Sequence, residues 1–197
     1  RCVYETALQQ PGPASGSAMA TCRVGPIYDK GKAALVYLET DVTDSEGNPM
    51  WSTRSGLFIG GEGGWGGDRG PATEWDLPDR DAAHVVVCPP RADQALLYRL
   101  NGDRNPLHSD PTFAAAAGFD KPILHGLCTY GFTGRALLHA LCDSDPTRFD
   151  RMGGRFKSPV VPGEPLEIHA WEEGDLVIFQ TRVGDRVVFD NGMMTRS

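Results

Sequence analysis

Residues 126–141 read GLCTYGFTGRALLHAL, and they have the pattern of a long helix around which the fold must be built. Its apolar residues surround most of a helix instead of forming one stripe. A helix of that kind is expected to be buried on most of its sides. The apolar positions are Leu127, Tyr130, Phe132, Leu137, Leu138 and Leu141. The remaining elements must therefore build a surface that wraps this helix.

Strand patterns flank the helix. Residues 84–88 form a short apolar segment upstream, and four more strand segments follow, at 150–161, 166–172, 176–183 and 186–191. Pro-Gly or Gly-Asp turns separate these four segments, and hairpins with such turns are antiparallel. A long buried helix wrapped by a curved antiparallel sheet is an α+β arrangement.

The first third of the chain also has a strand pattern. Residues 18–24 are rich in apolar residues, and residues 32–42 contain a nearly continuous apolar run. A turn dense in Asp, Gly and Asn separates this run from residues 50–59, which predicts a β-hairpin. No helical pattern occurs before residue 80. Residues 72–80 are polar and contain proline, so we expect a boundary between two units there.

The segment at residues 60–71 contains seven glycines among twelve residues. Glycine loses the most backbone entropy when it becomes ordered, so this composition favours a flexible linker over a packed loop. Trp65 in its middle is the one feature that favours an ordered loop. The segment lacks the Lys-Ser/Thr ending of a P-loop, and no helical pattern follows it, which excludes a phosphate cradle of that type.

Composition excludes several classes of protein. The net charge is −7 among 197 residues, so a general nucleic-acid surface is not expected. No run of 18 apolar residues exists, so no transmembrane helix is predicted. The cysteines are odd in number and form no Cys-x-x-Cys pair, which indicates reduced thiols in a cytoplasmic protein and argues against a structural zinc site. They are Cys2, Cys22, Cys88, Cys128 and Cys142.

Residues 101–111 are the first candidate for chemistry. This polar loop lies between two short helical patterns, at 92–100 and 112–117, and it places Asp103 five residues before His108. Histidine is the side chain whose ordinary pKa lies near neutral pH, so the pair is a candidate general acid and base. The structural alternative is that these residues only cap helices and form turns.

Two other chemistries remain open for the same loop. His108 and Asp110, together with His125, are three potential metal ligands, although their spacing is not the tight one of zinc or iron sites. Ser109 adjoins His108 and is a potential nucleophile, but the Gly-x-Ser-x-Gly elbow is absent. We therefore expect neither a metal nor a covalent intermediate.

Gly126 is the second candidate, because it begins the long helix. The first N–H groups of a helix have no partner within it and attract developing negative charge. A glycine there lets an oxygen atom approach closely, so the N–H of Gly126 is a candidate oxyanion donor. The alternative is that glycine simply fits a crowded helix start.

Two motifs carry a resemblance to a known family. Residues 98–111 read YRLNGDRNPLHSDP, and residues 118–131 read GFDKPILHGLCTYG. Together they resemble the hydratase-2 motif of the MaoC-like (R)-specific enoyl-CoA hydratases, which have the hot-dog fold. The glycine-rich segment is similar to the first half of the two-domain, double hot-dog members. The resemblance covers nearly the whole chain.

The resemblance implies specific roles. Asp103 and His108 match the catalytic pair that activates water, Asn105 matches a residue that supports the pair, and Gly126 matches the backbone donor to the thioester carbonyl. The implied reaction adds water to a trans-2-enoyl thioester to give the (3R)-3-hydroxyacyl thioester, or runs in reverse, within fatty acid metabolism. No metal or cofactor is implied, since the coenzyme A thioester is the substrate. The cationic candidates for binding it are Arg104, Lys121, Arg155 and Lys157.

The resemblance also implies an organisation of the chain. Residues 1–80 would be an incomplete, non-catalytic N-terminal hot-dog half, because no helical pattern occurs there, and residues 81–197 would be the catalytic half. A homodimer is expected, with an acyl-CoA or acyl-carrier-protein thioester as partner and no nucleic acid or membrane. Two alternatives use the same fold, namely a non-catalytic acyl-thioester binding module and a thioesterase.

Overall fold

An antiparallel sheet of nine strands runs through the computed structural model, which describes residues 3–10, 12–71 and 75–197. The strands are β1 (Val3–Leu8), β2 (Ala18–Asp29), β3 (Ala33–Asp44), β4 (Pro49–Gly60), β5 (His84–Cys88), β6 (Phe149–Phe156), β7 (Leu166–Glu173), β8 (Leu176–Val183) and β9 (Arg186–Arg196). The helices are α1 (Gln94–Tyr98), α2 (Pro111–Ala116) and α3 (Gly126–Leu141), with short 3₁₀ turns at Arg99–Asn101, Pro106–His108 and Pro146–Arg148.

The order of the strands contains a repeat. Along the sheet the order is β2-β3-β4-β1-β6-β9-β8-β7-β5. Read outward from the centre, the first set runs β1-β4-β3-β2 and the second runs β6-β9-β8-β7, so the two sets have the same internal order. The first strands of the two sets, β1 and β6, pair antiparallel with each other. In the described residues, only the second set is accompanied by a long helix, α3.

Helix α3 packs against the second set of strands and forms the core with it. Leu137, Phe179 and Phe189 are among the fully buried side chains of this core. The Tyr130 hydroxyl donates a hydrogen bond to the backbone oxygen of Met152 at 2.8 Å, which fixes the helix against β6. These long-range contacts, more than helix propensity, hold α3 in place.

One side of α3 is less buried than the sequence predicts. Leu127 is 40% exposed, and Gly131 and Arg135 are exposed beside it. The prediction of a helix buried on most sides is therefore only partly right, because no described element covers this side. The covered side faces the sheet, where Cys128, Thr133 and Leu137 are buried.

Most predicted elements are present, with differences at their ends. The helix at 126–141 and the strand at 176–183 have the predicted bounds. Strand β6 ends at Phe156 and not at residue 161, because Pro159 and Pro162 follow and supply no N–H to a ladder. Strand β1 was not predicted, since six residues without a clear turn before them carry a weak signal.

The glycine-rich segment is a packed loop, so the prediction of a flexible linker was wrong. It folds around Asp29, whose side chain is only 4% exposed. The N–H groups of Gly31 and Gly64 donate to one carboxylate oxygen and that of Gly66 donates to the other, each at 2.8 Å. The backbone also passes close to β3, where a Cβ on Gly63 would lie 2.4 Å from the backbone nitrogen of Ala33. Glycine is therefore required here by close approach.

Asp29→Asn is expected to lower the melting temperature by several degrees at pH 7. The backbone N–H of Gly64, followed by those of Gly31 and Gly66, lowers the pKa of Asp29 from 3.8 to about 2. A depressed pKa stabilises the fold fully above pH 3.8, and the stabilisation is lost as the pH falls through about 2. The difference in melting temperature between Asp29→Asn and wild type should therefore become smaller as the pH falls from 3.8 to about 2.

Asp68→Asn is the matched control for this experiment. Asp68 accepts the N–H of Gly70 in the same loop, and an asparagine accepts such a bond equally well. It should melt close to wild type. If the melting temperature of Asp29→Asn lies equally far below that of wild type at every pH, the charge of Asp29 does not stabilise the fold.

Four of the five cysteines lie in the described part of the chain. Cys22, Cys88, Cys128 and Cys142 are free thiols, while Cys2 lies outside the described residues, as do residues 72–74 of the predicted boundary. None of the described helices combines the length and apolar character needed to cross a bilayer.

Candidate active site

The loop between α1 and α2 is built by its own backbone chemistry. Gly102 adopts a left-handed conformation with φ of +110°, which ends the 3₁₀ turn before it. The Asn105 side chain accepts the N–H of Leu107 at 3.0 Å and so caps the next turn, Pro106–His108. The loop therefore presents Asp103 and His108 from two consecutive turns.

His108 is held by one of its two ring nitrogens. Its Nδ1 lies 2.8 Å from the backbone oxygen of Ile123. A carbonyl oxygen can only accept, so Nδ1 carries the hydrogen, and the neutral ring leaves Nε2 as a base. His108 is half-buried, and none of the described residues forms a hydrogen bond with its Nε2.

Asp103 lies beside this ring. Its carboxylate accepts the N–H of Asn105 at 3.2 Å, and the side chain remains exposed. One polar side-chain atom from each of Asp103, His108 and His125 lies within 4.8 Å of the others. The structure therefore brings together the two residues that the sequence paired, and Asn105 contacts Asp103 through its backbone and supports the turn that carries His108.

His125 also belongs to the cluster. From the sequence, this residue was expected only as a potential metal ligand. It is 1% exposed, and its ring stacks on that of His108 with a centroid distance of 3.8 Å. Its Nε2 lies 3.2 Å from the backbone oxygen of Asp103. Burial, and next the neighbouring His108, lower the pKa of His125. The signal in the sequence was its position directly before Gly126.

The two stacked rings of the cluster are poorly arranged to bind one metal ion together. The rings of His108 and His125 stack at an interplanar angle of 27°, and lone pairs in nearly parallel planes do not converge on one point. One nitrogen of each ring is already within hydrogen-bonding distance of a backbone oxygen. Asp110, the third potential ligand in the sequence, instead accepts the N–H groups of Thr112 and Phe113 as the N-cap of α2.

Gly126 begins α3 immediately after His125. No described residue accepts a hydrogen bond from its N–H, and the residue itself is exposed. A Cβ at this position would lie 3.3 Å from the ring of Phe156, so the helix start is also crowded. The geometry thus agrees with both interpretations of Gly126. Its N–H is available as a hydrogen-bond donor, and Phe156 leaves little room for a side chain.

The four cationic candidates separate into two pairs. Arg104 lies next to Asp103 in the loop, and Lys121 lies two residues before Ile123; both are exposed. The Phe156 ring faces Gly126, so Arg155, the residue before it in β6, points to the opposite face of the sheet. Lys157 follows the end of β6 and pairs at 2.8 Å with Asp190, which lies opposite Arg155 in β9. The structure does not bring this second pair to the site.

A groove runs along the exposed side of α3 beside the cluster. Its volume is about 260 Å³. Tyr98 lies at one end, where its ring contacts that of His125 at a centroid distance of 4.6 Å. Burial raises the pKa of the lining thiol, Cys128, to about 11, so it is not a nucleophile near neutral pH. The lining residues are Gln94, Tyr98, Leu127, Cys128, Gly131, Phe132 and Arg135.

Comparison with known proteins places the chain in a family. Residues 75–191 match the model of the MaoC-like domain. The chain is 51% identical over 164 residues to enoyl-CoA hydratase ChsH3 of Mycobacterium tuberculosis, an alignment that covers 83% of this chain and 57% of that protein. It is 45% identical to 3-hydroxyacyl-thioester dehydratase Y of the same organism, over 94% of this chain and 68% of that protein. The chain thus spans about three fifths to two thirds of the length of these relatives.

A solved structure agrees with this result. The crystal structure of a MaoC-like dehydratase from Phytophthora capsici matches with a TM-score of 0.94 at 35% identity, and the match covers all of this chain and 70% of that one. The curved antiparallel sheet around α3 is the predicted α+β hot-dog fold, which is thereby confirmed. The chain belongs to the MaoC-like domain family.

Proposed function

We propose that this chain hydrates trans-2-enoyl thioesters to (3R)-3-hydroxyacyl thioesters, or catalyses the reverse dehydration. The observation that carries the proposal is the cluster of Asp103 and His108 beside the N–H of Gly126, joined through His125. A base, an acid and an oxyanion donor are the three parts that the reaction requires. The names of the relatives, a hydratase and a dehydratase of acyl thioesters, support it.

The proposed mechanism begins with a water molecule between the Asp103 carboxylate and Nε2 of His108. Nε2 of His108 is the base and takes one proton from the water, while the oxygen of the water bonds to C3 of the substrate. The π electrons then move towards the thioester oxygen, where the N–H of Gly126 stabilises the enolate-like charge. The protonated base then gives the proton it took from the water to C2, so the thioester is regenerated and the base is neutral again.

The groove along α3 supports an acyl substrate. It begins beside His125 and is lined by Leu127, Gly131 and Phe132, which offer an apolar surface to a hydrocarbon chain. Because the protein is acidic overall, the polyanionic carrier needs local cations, and the exposed segments beside the cluster supply Arg104 and Lys121. This geometry favours Arg104 and Lys121 as its partners.

The double variant Arg104→Ala/Lys121→Ala is expected to raise the KM for an enoyl-CoA about three- to tenfold at low salt, with kcat nearly unchanged. Exposed charges contribute modestly, and salt screens them. Arg155→Ala is the matched control and should keep the wild-type KM, because it lies on the other face of the sheet. Equal effects in both proteins would contradict the proposed path of the carrier.

A single assay tests the reaction class. Crotonyl-CoA loses the absorbance of its conjugated double bond on hydration, and chiral analysis of the product identifies the 3R isomer. Release of a free thiol, followed with a thiol reagent, would instead indicate a thioesterase. Binding without either change would indicate a non-catalytic acyl-thioester module. Turnover without thiol release is the expected result.

We also propose that the chain consists of two hot-dog halves, residues 1–80 and 81–197, and that it forms a homodimer in the cytoplasm. The repeated order of β1–β4 and β6–β9 supports the two halves. Sedimentation equilibrium measures the oligomeric state directly, and a monomeric mass at assay concentrations would remove the dimer from the proposal.

A further inference from the structure

His125 contacts both members of the pair that the proposed mechanism uses. Its Nε2 lies 3.2 Å from the backbone oxygen of Asp103, and its ring stacks on the ring of His108. On its other side, the ring contacts that of Tyr98. The imidazole is 1% exposed, so it cannot itself exchange protons with bulk water or meet a bulky substrate. Its contacts therefore act on its neighbours.

The two contacts restrain different degrees of freedom. The hydrogen bond to the backbone oxygen fixes the chain at Asp103, which follows a glycine with a left-handed conformation. The stacking fixes the plane of the His108 ring, whose rotation the bond from Nδ1 to Ile123 alone does not set. Both restraints come from one side chain, so they also fix Asp103 and His108 relative to each other.

The protonation of His125 follows from its surroundings. A carbonyl oxygen only accepts, so Nε2 carries the hydrogen, and Nδ1 is an acceptor. Among the described residues, Nδ1 has no hydrogen-bond partner although it is buried. An unpaired buried acceptor costs stability, which indicates that the imidazole is kept at this position for another reason. A neutral His125 ring also places no charge against the ring of His108.

We propose that His125 is the positioning residue of the catalytic pair, holding Asp103 by its Nε2–H and His108 by its ring face. This inference rests on the hydration reaction proposed above. Small displacements of catalytic groups reduce turnover strongly while leaving substrate binding largely intact. The loss should therefore appear in kcat and not in KM.

Two variants each remove one of the contacts. His125→Phe keeps the stacked ring and deletes the donor, whereas His125→Gln places an amide donor near the position of Nε2 and deletes the ring. We expect each to lower kcat for crotonyl-CoA about 10- to 100-fold, with KM within about twofold of wild type. His125→Ala, which loses both contacts, should lose more than either. Thermal melts of each variant show that it is folded at the assay temperature.

His169→Phe is the matched control. His169 is also a largely buried imidazole with an Nε2 that has no hydrogen-bond partner in the described residues, and it stacks on Trp171 in β7. It lies outside the cluster, so wild-type kcat is expected. A folded His125→Phe with wild-type kcat, or an equal loss in His169→Phe, would overturn the positioning role. Inactive wild type would instead overturn the proposed reaction.

A measurement on the unaltered protein keeps the proposal testable if the variants do not fold. Nitrogen-15 NMR of the imidazoles should show His125 as a neutral Nε2–H tautomer with slow hydrogen exchange, and His108 with its hydrogen on Nδ1. A His125 hydrogen on Nδ1, or one that exchanges as fast as those of exposed histidines, would mean that the bond to Asp103 is absent and would overturn the proposal.

Discussion

His108→Ala should lower kcat for enoyl-CoA hydration by about 10²–10⁴-fold, the range in which general acid–base catalysis contributes. The free Nε2 of this ring is the base in the proposed mechanism, because Nδ1 is held by the backbone oxygen of Ile123. Stopped-flow or steady-state absorbance with crotonyl-CoA measures the loss. Asp103→Asn should have an effect of similar size, since the amide keeps the shape of the carboxylate and removes its charge.

Two controls match these substitutions. Asp110→Asn makes the same chemical change seven residues further on, at the N-cap of α2, where asparagine caps as well as aspartate. His139→Ala removes an imidazole near the exposed end of α3, where its Nδ1 contacts only the Ser144 hydroxyl among the described polar groups. Both should retain near wild-type turnover. Full turnover in His108→Ala and Asp103→Asn would exclude the proposed pair.

Gly126→Pro is expected to lower kcat about 10²–10³-fold relative to Gly126→Ala, which is the cost of losing one oxyanion donor. Both variants add a Cβ that meets the Phe156 ring at 3.3 Å, and only proline removes the N–H. Proline is accepted at the first position of a helix. The backbone of His125, with φ of −58° and ψ of 136°, is also the conformation that a following proline requires.

The comparison of the two Gly126 variants isolates the N–H from the crowding. Thermal melts should place both close together, because neither loses a hydrogen bond within the helix. If the two have equal kcat, the N–H of Gly126 does not stabilise the transition state, and the glycine is present only because Phe156 leaves little room.

The sequence indicates the candidate site because the signals for it are local. Asp103 and His108 lie in one eleven-residue loop, and the turn that holds them is formed by Gly102 and Asn105 within that loop. The position of Gly126 followed from the start of an apolar helical pattern. The contribution of His125 was missed, because its contacts join residues that lie 17 and 22 positions apart.

The prediction for the glycine-rich segment was wrong because a contact with a distant residue orders that segment. Glycine content alone suggests a flexible linker at residues 60–71, yet the buried carboxylate of Asp29, about 35 residues away, organises that segment through backbone donors. Nothing within the segment itself encodes this contact.

The amino-acid sequence was enough to predict α3, the turns between the later strands and the spacing of Asp103, His108 and Gly126. These features depend on periodicity and turn chemistry within about a dozen residues. Three other features become visible only in the folded chain: β1 pairs with both β4 and β6, Arg155 and Lys157 point away from the site, and His125 contacts Asp103 and His108. Each of these depends on which distant segments meet, and that is set by the packing of the whole sheet around one helix.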